Sequence, residues 1–110
     1  MAYDPDLADR MEAELVARGA TPVRKAMFGG IAFMVGGNMS YGTSRGEMHV
    51  RVGPDACEAA LEKSGAGPME FTGRPMKGWV TVEGPSDLSN EEIGDWASMT
   101  LAFVNTLPVK

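Results

Sequence analysis

The apolar residues of this chain change their spacing along its length, and that change limits what it can fold into. Near the N-terminus Leu7, Met11 and Leu15 recur at every fourth position, with Val16 beside them. Such spacing gathers side chains on one face of an α-helix. Asp4-Pro5 opens that helix, the aspartate as cap and the proline at the first helical position, and Gly19 after Arg18 stops it. The pattern predicts a helix over residues 5–18. Toward the C-terminus Ile93, Trp96, Ala97, Thr100, Leu101, Val104 and Leu107 again share one helical face. Ser89 with Glu92 three positions on forms a capping box ahead of it, and Pro108 closes it.

Between these ends the period shortens. "VRKAMF", "GIAFMV", "NMSYG" and "EMHVRV" are short apolar-rich runs separated by Gly29-Gly30, Gly36-Gly37-Asn38 and "GTSRG". Glycine and asparagine supply the backbone conformations of tight hairpins, so residues 23–52 read as a meander of three or four antiparallel strands. In "EMHVRV" the alternation puts Met48, Val50 and Val52 on one face and His49 and Arg51 on the other. Gly53-Pro54-Asp55 begins a second helix, with Cys57, Ala60 and Leu61 as its apolar stripe and Gly65 as its end. "PMEFTG" and "KGWVTVEG" are two further strands around the turn "TGRPMKG". The fold class that follows is α+β: a two-layer domain in which an antiparallel sheet of five to six strands is packed by three helices, in the order helix, strands, helix, strands, helix. A chain of 110 residues with 44% hydrophobic and 23% charged residues has the composition of one globular domain, read here as residues 1–110.

The net charge of -5 disfavours non-specific binding to nucleic acid. Its acidic excess sits at the two ends, which leaves the centre, with Arg24, Lys25, Arg45, Arg51, Lys63, Arg74 and Lys77, mildly basic. No apolar run reaches the roughly 18 residues of a membrane span, and "MAYDPDLADR" is acidic where a signal peptide is basic and then apolar. A single cysteine forms no internal disulfide. A soluble cytoplasmic protein without membrane contact is expected.

The search for chemistry returns little. His49 and Cys57 are the only soft metal ligands, fewer than a structural zinc site needs, so neither a metal nor a cofactor is expected. His49 reads as a solvent-facing strand residue and Cys57 as a small buried side chain. The serines lack a nucleophile-elbow context, and the carboxylates fall on helix faces and helix starts, where solvation and the helix dipole account for them. "FGGIAFMVGG" runs into a strand rather than opening a helix, which makes its glycines a bend and not a phosphate loop. The methionines read mostly as core filling. No catalytic residue is assigned, and an enzyme reading would need a deep pocket holding His49 with a carboxylate.

Four segments, "RKAMFGGIAFMVGGNM", "VRVGPDACEAAL", "FTGRPMKGWVTV" and "WASMTLAFVNTLPVK", together resemble the N-terminal domain of the TfoX/Sxy family across Arg24 to Lys110. The resemblance implies a sheet packed by helices, similar to secretion-chaperone-like domains. It also implies a relation to regulators of natural competence for DNA uptake. Those longer regulators carry a second, C-terminal domain resembling helix-hairpin-helix modules, and the chain is read as lacking it because it stops after "LPVK". "NMSYGTSRG" stands where a cysteine-containing turn is expected, so no cysteine-based role falls there. No catalytic residues come with the resemblance.

Two readings of function stand side by side. The first is a non-enzymatic regulatory or protein-interaction module, with an unknown protein or a second copy of the chain as partner. Its candidate surface is Arg24, Lys25, Phe28, Gly29, Gly30, Arg74, Met76, Lys77 and Trp79, since arginine, tryptophan and methionine are enriched where interfaces bury most. The alternative is an anion or nucleic-acid site in which Arg24, Lys25, Arg74 and Lys77 converge, which requires the "MFGG" bend and the "GRPMKG" turn to lie at one end of the sheet. Against both stands the simpler expectation that Trp79 is core and that Arg74 and Lys77 decorate a turn.

Overall fold

The computed structural model describes residues 3–27, 29–63, 65–71 and 74–109; the side chains of 70, 71 and 74–76 lie outside that description. Helix α1 spans Pro5–Ala17, and the Asp4 side chain caps it by accepting from the Asp6 amide at 2.9 Å. Helix α3 spans Asn90–Val104 and has the full capping box: the Glu92 amide donates to Ser89 Oγ and the Ser89 amide donates to Glu92 Oε1, each at 3.1 Å. Both helices start where their caps dictate. Helix α2 is shorter than its stripe suggested. It covers Cys57–Leu61 only, because residues 54–56 form turns and Ala56, at the cap position, has no side chain that can accept. Leu61 is exposed.

The strands are β1 (Val23–Met27), β2 (Gly30–Val35), β3 (Asn38–Ser44), β4 (Glu47–Arg51), β5 (Ala66–Phe71) and β6 (Arg74–Glu83). They form one open six-stranded sheet in the order β1-β2-β3-β4-β6-β5, with every pair antiparallel. The domain is therefore α+β with the expected element order. The first four strands are a meander of adjacent hairpins. β6 departs from it by inserting between β4 and β5.

All three helices cover the same face. Ile31, Phe33, Val35, Tyr41, Met48, Val50, Val52, Val80 and Val82 point into one core with Leu7, Met11 and Leu15 of α1, Ala60 of α2, and Ile93, Trp96, Ala97 and Leu101 of α3. Each large side chain buried this way contributes about 1.5–3 kcal/mol. Two hydrogen bonds fasten the layers together. The buried Tyr41 hydroxyl donates to the Met11 carbonyl of α1, and the Thr100 hydroxyl of α3 donates to the Ser40 carbonyl at 2.9 Å. Burial pushes the Tyr41 pKa up, so the phenol stays a donor.

The opposite face follows from strand alternation. The pairing places Lys25, Ala32, Gly42, His49, Thr81 and Gly67 in one row across it. A Cβ on Gly42 would stand 2.5 Å from the Ile31 carbonyl oxygen, so β2 and β3 close in on each other on this side. Ala32, Met39 and His49 are buried on this face as well.

Candidate functional site

A trough of about 520 Å³ lies over β4, β6 and β5, lined by Glu47, His49, Thr81, Glu83 and residues 65–69. Glu47 and Glu83 are direct cross-strand partners, as are His49 and Thr81. Neither glutamate has an ion-pair partner among the described residues.

His49 is not the solvent-facing residue that its position in "EMHVRV" suggested. It is 9% exposed, with Nε2 3.0 Å from Ser44 Oγ and Nδ1 3.2 Å from Thr81 Oγ1. Alternation does put it opposite the core, but Ser44 and Thr81 flank the ring there and leave it buried. Burial pushes its pKa down, and Glu47 opposes that shift without cancelling it. The ring is thus neutral near pH 7, with one nitrogen donating and the other accepting. The trough does hold His49 beside carboxylates, the arrangement an enzyme reading needs. However, both ring nitrogens bond to hydroxyls, and neither carboxylate is hydrogen-bonded to the ring. Ser44, a hydroxyl within reach of an imidazole, is 5% exposed and does not line the trough. These two hydrogen bonds tie His49 to β3 through Ser44 and to β6 through Thr81. Among the described residues no three of His, Cys, Asp and Glu gather to hold a metal ion.

At the other end of the same face lie Arg51 and Trp79, cross-strand partners and both half-buried. The Arg51 guanidinium sits 5.9 Å from the centre of the Trp79 ring and 5.4 Å from that of Phe103, at the end of α3. Stacking of this kind holds a guanidinium in place and leaves its edge N–H groups available. Trp79 is therefore not core, because Val80 and Val82 take the helix side of β6 and alternation sends Trp79 and Thr81 to the other. Its carbonyl lies 3.9 Å from the Cys57 thiol, which is half-buried at the margin of the core.

The remaining candidates scatter. Arg24 points to the helix side, where it binds Asp9 at 2.7 Å and Glu12 at 2.5 Å and lies 5.5 Å from the Phe33 ring. Its hydrogen bonds to Asp9 first and Glu12 second hold it charged, and they already satisfy that charge. Lys25 is exposed on the opposite side of β1. Gly29, at φ 73°, makes the turn into β2, and Gly30 begins that strand with its α-carbon closed in by the Thr43 carbonyl. Phe28 and the side chains of Arg74 and Met76 lie outside the described residues; Lys77 is exposed. The bend at Gly29-Gly30 shares an end of the sheet with the β3–β4 turn, whereas Arg74 begins β6 at the far end, with β2, β3 and β4 between β1 and β6. The geometric condition for the four bases to converge is not met.

Sequence reasoning passed over Glu47, Arg51, Thr81 and Glu83. The alternation of "EMHVRV" puts Glu47, His49 and Arg51 on one face, but no local signal shows that Thr81 and Glu83 arrive beside them.

A model of one protein family, the TfoX N-terminal domain, matches residues 13–104 of the chain. No curated protein and no solved structure matches it.

Proposed function

We propose, from the premise that this chain belongs to the TfoX N-terminal domain family, that it is a non-enzymatic protein-interaction module of the competence-regulator kind which meets its partner through the helix-free face of the sheet. The observation that carries this reading is the Arg51–Trp79 pair, half-buried and stacked at the end of the helix-free face, where of the helical layer Phe103 of α3 reaches the guanidinium. Tryptophan and arginine are the residues on which interfaces most often concentrate their energy, and a stacked guanidinium loses little further freedom on binding. The locked, neutral His49 supports a structural rather than a catalytic role for the trough.

The test is photo-crosslinking in cells, with a crosslinking amino acid placed either at Glu83 on the open face or at Ala13 on the exposed side of α1. The expected result is a defined protein adduct from position 83 that disappears when Trp79→Ala is added, and none from position 13. Adducts from position 13 alone would overturn the choice of face.

A further inference from the structure

We infer that the occupant of the helix-free face is a second copy of this chain, seated face to face with its strands reversed, so that the Arg51–Trp79 pair of each copy enters the acidic trough of the other. The inference rests on the reading of this face as the contact face and adds the identity of what covers it.

The face is self-complementary in charge. Along β4 and β6 its two ends have opposite sign: Glu47 pairs with Glu83 at one end, and Arg51 stacks on Trp79 at the other. Glu47 and Arg51 are separated by about 13 Å at roughly 3.3 Å per residue. His49 and Thr81 lie midway between the ends. A two-fold axis running across the strands at the level of His49 reverses the second copy, bringing its Arg51 over Glu47 and Glu83 of the first. The same rotation makes the reciprocal contact, as an isologous interface requires. A parallel stack would set like charge on like.

Shape agrees with charge. The trough of about 520 Å³ lies at the acidic end, and that is where the reversed copy delivers its aromatic and guanidinium groups. At the level of the axis the centre of the face carries Ala32, Gly42, Thr81 and Gly67 beside the buried His49, short or enclosed residues that let two sheets approach to about 10 Å. Lys25, in the same row on the edge strand β1, is exposed and meets its own copy at the rim, where solvent and salt screen the like charges. Two carboxylates held opposite each other without a cation are unfavourable in the single chain, and the incoming guanidinium offsets that repulsion.

Sedimentation equilibrium tests the arrangement with four samples: wild type, a Glu47→Lys/Glu83→Lys variant, an Arg51→Glu variant, and an equimolar mixture of the two variants. Far-UV circular dichroism confirms that each is folded. The expected result is a wild-type dimer that weakens with added salt, at least about a tenfold rise in Kd for either variant alone, and recovery of dimer in the mixture, where both reciprocal contacts become attractive again. A monomeric wild type overturns the inference, as does a dimer indifferent to both variants or a mixture that fails to associate. The two readings fail separately. A monomer that still crosslinks to another protein from position 83 loses the second copy and keeps the contact face, and a monomer without any such adduct loses both.

Discussion

Glu47 and Glu83 stand directly opposite each other on β4 and β6, two carboxylates on one face of the sheet with no ion-pair partner among the described residues. Like charges in that position repel. Glu83→Gln should therefore raise the stability of the isolated monomer by about 0.2–1 kcal/mol at low ionic strength, with the gain shrinking as salt is added. Urea titrations at a chain concentration where sedimentation shows monomer provide the check, and a loss of stability would mean that Glu83 has a favourable partner.

His49 is the only histidine in the chain, which makes its titration separable. Its pKa is lowered in the folded state, chiefly by burial. Above the unfolded value of about 6.5 both states hold a neutral ring, and the full stability is present. As pH falls below that value the unfolded chain binds a proton that the folded chain refuses, so stability declines down to the lowered pKa. One proton gives a slope of at most about 1.4 kcal/mol per pH unit. His49→Gln should flatten stability between about pH 6.5 and the range where carboxylates titrate, whatever it does to stability itself. An unchanged slope would assign the titration elsewhere.

Gly42→Ala places a methyl group 2.5 Å from the Ile31 carbonyl oxygen and 3.0 Å from the Ala32 α-carbon, contacts that only a backbone shift relieves. The cost should be about 1–3 kcal/mol, as for other overpacked sites. Gly67→Ala, in the same row but with nothing within 4 Å, should stay within about 0.5 kcal/mol of wild type. Equal effects at both positions would mean that β2 and β3 are not in close approach at Gly42.

Ser89→Ala removes the acceptor for the Glu92 amide at the start of α3. Because this helix supplies Ile93, Trp96, Ala97 and Leu101 to the core, its fraying is felt globally, and a loss of about 1 kcal/mol is expected in thermal or urea unfolding.

The parts of the fold that were legible in the sequence are those governed by neighbours in the chain. Asp4-Pro5, the Ser89–Glu92 box and the glycine hairpins each act over a few residues, and each does what its chemistry dictates. The trough depends on pairing over distance. Thr81 reaches His49 only because β6 inserts between β4 and β5, and nothing in "EMHVRV" or "KGWVTVEG" specifies that register. The burial of His49 likewise depends on Ser44 of β3 and Thr81 of β6, contacts set by strand pairing rather than by one strand. Trp79 is a different case. Val80 and Val82 alternate with it and claim the core side, so its place on the open face was readable from "WVTV"; the general tendency of large aromatics to be buried outweighed a local pattern that was the better guide.

The helical layer has a consequence for how the chain is made. α1 and α3 hold each other across about eighty positions, with Arg10 bonded to Asn90 at 2.8 Å and Arg18 to Ser98 at 2.7 Å. Synthesis runs from the N-terminus, and the strands through β6 are complete before any of α3 exists. Until then Phe33, Tyr41, Met48 and Val80 lack the helix that finishes their enclosure. Helix α3 is therefore what seals the domain, and a ribosome that stalls within it presents a sheet with its apolar side open to whatever binds it first.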